Sequence, residues 1–228
     1  MKTLVIDDEK PTLSMFRLFL SAYGYTVFVA EDGETGIRIF ETEKPEIVFT
    51  DLKMPGMDGL EVLKKIREQK NGSEVIIITG HGTIDKAIEA LDFGASDFIN
   101  KPVEKAALDA ALKRARSRIE TGSEQTFSMW TEKTDARLYI HINGKLSRLS
   151  ESVLKKMVEE STGETVFRFD ESFAVDREGI RSLINLIARL NEKGGTVSMT
   201  GLSYNYARFF QMAGLKGIAC ITEAQPDE

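Results

Sequence analysis

The sequence predicts an α/β chain in two parts: a doubly wound domain built on a parallel sheet, then a smaller α/β domain with a mixed sheet. Three observations predict it. Short apolar runs recur five times between residues 4 and 99, with helical patterns between them. A polar break at Thr121-Gly122-Ser123 ends that rhythm. Beyond it, two strand-like segments follow one another with no helix between them before the alternation resumes. A length of 228 residues, at ~100–200 residues per domain, accommodates two small domains.

The runs are Leu4-Val5-Ile6, Val27-Phe28-Val29, Ile47-Val48-Phe49, Val75-Ile76-Ile77-Ile78 and Phe98-Ile99. None alternates with polar residues, as expected of strands covered on both faces of a parallel sheet. Leu60, Leu63, Lys64 and Ile66 after Asp58-Gly59, and Ile84, Ala87, Ile88 and Leu91 after His81-Gly82, mark two of the intervening helices. Arg116 to Glu120 finishes the last of them. The expected division is a first domain over 1–120, a linker over 121–126 and a second domain over 127–228.

In the second domain Phe127 to Trp130 and Arg137 to Ile142 suggest a hairpin. A helix is expected around Leu149, Val153, Leu154, Met157 and Val158, then a strand from Thr165 to Phe169. An amphipathic helix follows with Ile180, Leu183, Ile184, Ile187 and Leu190 inward. Gly194-Gly195 ends it, Thr196 to Thr200 is a strand, Tyr204 to Met212 a helix, and Gly217 to Ile221 a last strand.

Composition narrows the function. With 42% apolar and 29% charged residues this is core-forming protein, not a disordered or low-complexity chain. The apolar runs fall far short of the ~18–20 residues of a bilayer crossing, so no membrane span is expected. Met1 to Asp8 meets two carboxylates after a short apolar run and is not expected to be a secretory signal. One cysteine, Cys220, excludes an internal disulfide and a multi-cysteine metal site, and a cytoplasmic location is expected. The net charge of −6 divides equally between residues 1–118 and 119–228. Neither half carries the basic excess of a phosphate-backbone binder, so nucleic acid is disfavoured as a partner.

The chemistry is expected at strand ends. Asp7 and Asp8 follow the first run, Asp51 the third, Thr79 the fourth, and Asn100-Lys101-Pro102 the fifth. The carboxyl ends of parallel strands share one edge, where ligands bind. Singly, each of these residues would be read as a turn, cap or surface group. Together they place three carboxylates, a hydroxyl and an ammonium at one crevice. Two carboxylates ~5 Å apart at an effective dielectric of ~20 repel by roughly 3 kcal/mol, a cost that a divalent cation removes. Oxygen-only ligation suits Mg²⁺. A metal-bound carboxylate facing Lys101 can attack a phosphoryl group, with metal and ammonium stabilising its oxygens. Asp51, on a central strand, is the expected nucleophile, and Asp7 and Asp8 the expected metal ligands. Gly80-His81-Gly82 is discounted as a dinucleotide loop because Asp85 stands at the third glycine position.

With these residues assembled, the first 120 or so resemble the receiver domain of two-component response regulators. Asp7-Asp8 is similar to the acidic metal pair, Asp51 to the phosphoacceptor, and Met54 to Gly59 to the loop after it. Thr79 with Gly80 resembles the switch hydroxyl and its small neighbour, Phe98 the switch aromatic, and Lys101-Pro102 the lysine before a typically cis proline. The resemblance implies a flavodoxin-like sheet ordered 2-1-3-4-5, with Mg²⁺ as cofactor and the backbone carbonyl of Lys53 completing its site. It implies a two-component phosphorelay in which a histidine kinase or phosphotransfer protein phosphorylates Asp51. Thr79 would then gain a hydrogen bond and Phe98 turn inward. The surface of the fourth helix, fifth strand and fifth helix would change, and a homodimer through that surface is compatible with the family. The Lys53 and His81 side chains stand where the family varies and tunes acyl-phosphate lifetime.

The second domain offers no zinc spacing, phosphate loop or nucleophile–base pattern, so the chain is not expected to be an enzyme beyond its own phosphorylation. His141, on a strand, reads as a face residue. Arg137 to Ile221 resembles a STAS domain, the fold of anti-sigma factor antagonists. The resemblance rests on Leu138 to Leu146, on Ser172 to Ile180 and on Ala207 to Leu215. The family's central motif commonly reads Asp-Ser-Ser-Gly-Leu, and here the residue after Asp176 is Arg177, then Glu178, so serine phosphorylation there is excluded. The reading is a response regulator whose STAS-like face around Asp176, Arg177 and Glu178 binds an anti-sigma factor or related partner under control of Asp51. Asp176 should in any case cap its helix, with Glu178 favourable in the first turn. The alternatives are a DNA-binding regulator, a STAS-like small-ligand sensor or an unrecognised enzyme.

Overall fold

Five strands of the first unit run parallel: β1 (Lys2–Ile6), β2 (Thr26–Ala30), β3 (Ile47–Asp51), β4 (Glu74–Thr79) and β5 (Asp97–Asn100). The computed structural model describes residues 1–80, 84–121, 127–134, 137–147, 156, 163–170 and 172–223. It divides into two compact units, Met1–Glu120 and Thr121–Glu228. In the first, the strand order is β2-β1-β3-β4-β5, the flavodoxin-like order, and the direction of winding reverses between β1 and β3. Helices α1 (Lys10–Ala22), α2 (Gly33–Glu43), α3 (Gly59–Glu68), α4 (Ile84–Asp92) and α5 (Lys105–Thr121) alternate with the strands.

Every residue of β3 is buried, as its unbroken apolar run requires. The expectation of two-sided burial does not hold for Val27, Phe28 and Val29, which are half-buried. Strand β2 lies at the sheet edge, where periodicity alone does not distinguish it from a central strand.

Local sequence sets the helix starts. The Asp32 carboxylate accepts the Thr35 N–H (2.7 Å) and caps α2. At α3, Asp58 accepts from Leu60 and Glu61 N–H (3.0 Å each) while Glu61 accepts the Asp58 N–H (3.0 Å), a reciprocal capping box. Gly59 opens α3 because nothing larger fits. A Cβ there would lie 2.1 Å from the Asp51 carbonyl oxygen, a backbone atom that cannot yield. Gly59→Ala is therefore expected to lower stability by about 1–3 kcal/mol in urea unfolding and to displace the backbone of Asp51.

The second unit carries a five-stranded sheet in the order β12-β11-β9-β7-β6. Strands β6 (Ser128–Lys133) and β7 (Arg137–Asn143) pair antiparallel, as the hairpin pattern predicts. Strands β9 (Glu164–Phe169), β11 (Thr196–Leu202) and β12 (Cys220–Glu223) add in parallel. Short strands β8 (Lys145–Leu146) and β10 (Ala174–Val175) form a separate parallel pair. The helix expected around Leu149 to Val158 falls almost wholly outside the described residues.

Helix α6 (Arg177–Glu192) buries Ile180, Leu183, Leu186, Ile187 and Leu190. Leu186 replaces the expected Ile184, which is half-buried, so the inward stripe lies slightly round the helix from its sequence estimate. Helix α7 (Tyr204–Phe210) passes into a π-helical turn, Gln211–Leu215. The last strand starts at Cys220 rather than Gly217, because Gly217 takes a left-handed turn (φ 96°). The core of this unit is aromatic: Phe173 meets Phe169 at 4.5 Å and Tyr206 at 5.2 Å between ring centres, both edge-on.

Candidate functional site

The carboxyl edge of the first sheet collects the ends of β1, β3, β4 and β5. Asp7, just past β1, is fully buried, and its N–H donates to the Ala30 carbonyl (3.1 Å). Asp51 closes β3 and is 4% exposed. Thr79 closes β4, also buried, and its carbonyl accepts the Lys101 N–H (2.7 Å), tying the chain after β5 to the end of β4. The Lys101–Pro102 peptide is cis.

These bonds deliver three carboxylates to one ammonium. Lys101 Nζ lies 2.9 Å from Glu9 Oε2, 3.1 Å from Asp7 Oδ2 and 3.2 Å from Asp51 Oδ1. The Glu9 contact is a hydrogen bond, whereas the Asp7 contact is an ion pair off hydrogen-bond geometry. The remaining carboxylate oxygens are held by backbone: Asp7 Oδ1 accepts the Glu9 N–H (2.8 Å) and Asp51 Oδ2 the Lys53 N–H (3.2 Å).

Sequence reasoning finds Asp7, Asp51, Thr79 and Lys101 at this edge and misses Glu9. The signal was present in the unbroken run Asp7-Asp8-Glu9 that leads from β1 to α1. Asp8 is solvent-exposed and takes no part in the Lys101 cluster. The Lys53 side chain is exposed and contributes its backbone here. Phe98 is already buried, at 1% exposure, and His81 lies outside the described residues. In the second unit Asp176 accepts the Gly179 N–H (2.8 Å) and caps α6, and Glu178 pairs with Arg181 (3.0 Å). Gly179 is required there, since a Cβ would lie 2.3 Å from the Leu146 carbonyl oxygen.

Electrostatics follow from burial. Desolvation raises the Asp51 pKa to about 6, with Lys101 opposing and Asp7 adding to the rise. Burial likewise raises Asp7, against the Glu9 N–H and Lys101. For Lys101, burial works against the ammonium, but Glu9, Asp7 and Asp51 outweigh it and its pKa is raised. Two buried carboxylates that resist ionisation suit a hard divalent cation. Among the described residues no three acidic, His or Cys side chains converge closely enough to hold a metal alone. A cation at Asp7 and Asp51 would therefore draw further ligands from backbone carbonyl and water, which is the habit of Mg²⁺. The residues fit such an ion.

Because Asp51 is harder to ionise folded (about 6) than unfolded (~3.9), the folded state binds the extra proton and stability falls as pH rises across that interval. Asp51→Asn removes the penalty. In metal-free buffer it is expected to match the wild type near pH 4 and to exceed it by on the order of 1–3 kcal/mol above pH 6. Urea unfolding across the pH range measures this.

A parallel 2-1-3-4-5 sheet with a carboxylate–lysine cluster at its carboxyl edge defines a flavodoxin-like domain of the receiver type. Comparison with known proteins carries this to a family: residues 3–113 match the response regulator receiver domain, and this part of the chain is a two-component receiver domain. Over 168 residues the chain is 32% identical to the transcriptional regulatory protein GlrR of Escherichia coli (strain K12), covering 72% of this chain and 37% of that protein. Over 119 residues it is 34% identical to the alkaline phosphatase synthesis transcriptional regulatory protein PhoP of Bacillus subtilis (strain 168), covering 52% and 50%. The chain thus spans half or less of these relatives' lengths. A receiver domain structure from Clostridium thermocellum superposes with a TM-score of 0.52 at 36% identity, covering 54% of this chain and 98% of that one. Among the described residues no helix is long and apolar enough to cross a membrane.

Proposed function

We propose that this chain is a phosphorylation-controlled response regulator whose second unit is a STAS-like binding module. The observation that carries the reading is the buried Asp51 carboxylate, set 3.2 Å from the Lys101 ammonium at the carboxyl edge of a receiver sheet. A histidine kinase or phosphotransfer protein supplies the phosphoryl group. An Asp51 oxygen forms the new O–P bond as the donor's P–N bond breaks, and the electron pair leaves on the imidazole nitrogen. Asp7, Asp51 and the Lys53 carbonyl would hold Mg²⁺, with Asp8 at the rim, and the ion would neutralise charge on the phosphoryl oxygens. Lys101, 3.2 Å from Asp51 Oδ1, would stabilise the same oxygens with its ammonium. Thr79 donates to the phosphoryl group, and the state in which it does so is favoured only by that difference in contacts.

What supports the STAS-like reading is the parallel run of β7, β9, β11 and β12, together with the motif from Ser172 to Ile180. With Arg177 where the motif usually holds serine, control passes to Asp51, and the turn of Asp176, Arg177 and Glu178 meets an anti-sigma factor or related protein. A DNA-binding reading draws on the relatives' names as transcriptional regulators and on an alignment of 168 residues, longer than the receiver domain itself. Incubation with acetyl phosphate and Mg²⁺ should add one phosphoryl group at Asp51 by intact and peptide mass. Pull-down with the phosphorylated and unphosphorylated chain then separates the outputs. A phosphorylation-dependent protein partner supports the STAS-like reading, and retention of DNA overturns it.

A further inference from the structure

We propose that Glu9 is a positioning residue that holds the Lys101 ammonium in the unphosphorylated protein and acts as a brake on phosphorylation of Asp51; this rests on Asp51 being the phosphoacceptor. Glu9 occupies the N-cap position of α1, where Ser, Thr, Asp or Asn ordinarily accepts a helix N–H, and its longer side chain makes no capping hydrogen bond. Its Oε2 instead accepts from Lys101 Nζ (2.9 Å) and from Thr12 Oγ1 (3.2 Å). This is the shortest of the three carboxylate contacts around Lys101.

An ammonium has three N–H donors, and three carboxylates surround this one. A phosphoryl group on Asp51 brings roughly 1.5–2 negative charges at pH 7 and requires the same ammonium. The incoming dianion competes for it with the contacts already there. Asp7 and Asp51 are buried and costly to leave uncompensated, whereas the Glu9 side chain is 59% exposed and is rehydrated on release. Glu9 is the partner exchanged. Its contact lowers the resting state and is absent when the phosphoryl oxygens take Lys101, so it raises the barrier.

The test uses the full chain as wild type, Glu9→Gln and Glu9→Asp, with acetyl phosphate and Mg²⁺. Phosphorylation is timed by intact mass, and the Lys101 side-chain resonance is followed by NMR without donor. Glu9→Gln removes the charge, while Glu9→Asp keeps it on an arm one methylene too short to reach Lys101. Both are expected to be phosphorylated about two- to fivefold faster, the factor that a surface ion pair amounts to, and both should shift the Lys101 resonance. Unchanged or slower phosphorylation of Glu9→Gln, or an unshifted Lys101 signal, overturns the proposal. So does Glu9→Asp behaving as wild type, because nearby charge rather than the contact would then be responsible. A wild type that takes up no phosphoryl group overturns the reading of Asp51 itself, and an outcome confined to the Glu9 variants leaves that reading standing.

Discussion

Asp51→Asn is expected to take up no phosphoryl group under conditions that modify the wild type, while remaining folded. The amide matches the carboxylate in shape, and it still accepts the Lys53 N–H through its oxygen, but it supplies no anionic nucleophile. Lys101 keeps Asp7 and Glu9 as partners, so the ammonium is not stranded. Loss of uptake with the stability gain described above would separate chemistry from folding. Lys101→Met should also fold, yet take up phosphoryl ~10²-fold more slowly, because one fixed donor to the transferring oxygens is gone. Timed intact mass with acetyl phosphate and Mg²⁺ reads both variants. Modification of Asp51→Asn at the wild-type rate would move the phosphoacceptor elsewhere.

The largest stability effect is expected at the other end of β5. Asp97 is fully buried and Arg114, in the second half of α5, is 5% exposed. Arg114 Nε donates to Asp97 Oδ2 (2.7 Å), its Nη2 reaches the same oxygen, and Asp97 Oδ1 accepts the Phe98 N–H (2.8 Å). Asp97→Ala leaves the guanidinium buried without this counterion and should cost about 3–5 kcal/mol in urea unfolding. Replacing both residues by apolar ones, Asp97→Leu with Arg114→Met, should recover most of that loss, since an absent pair is cheaper than half of one. A single variant no less stable than the double would show that burial of the charge is not the cause. Arg118 and Glu74 (2.7 Å) make a second pair between α5 and the start of β4. Helix α5 is thus fixed to the sheet by side chains whose partners are distant in sequence.

The receiver site is legible in the chain because its residues follow apolar runs immediately. A parallel sheet sends the carboxyl end of every strand to one edge, so Asp7, Asp51, Thr79 and Lys101 converge by topology alone. Capping was readable for the same local reason, as Asp176 shows. Asp97 was not readable, and Glu9 was passed over although it continues the acidic run of Asp7 and Asp8. An acidic residue at a helix start is most simply a cap, and an aspartate beginning a short strand carries no mark of burial. Asp8 illustrates the converse: its neighbour Asp7 is buried, but the chain turns between them and Asp8 faces water.

The strand positions, the cap at Asp176 and the receiver character of the first domain were legible in the sequence, because each depends on periodicity or on motifs a few residues long, and the strand order came with the receiver resemblance. The tertiary structure alone decided that Glu9 joins the carboxylates around Lys101, that Asp97 pairs with Arg114, and that Gly59 and Gly179, each in a first helical turn, press against a carbonyl. Those outcomes depend on distances between segments far apart in the chain, and no local pattern encodes a distance.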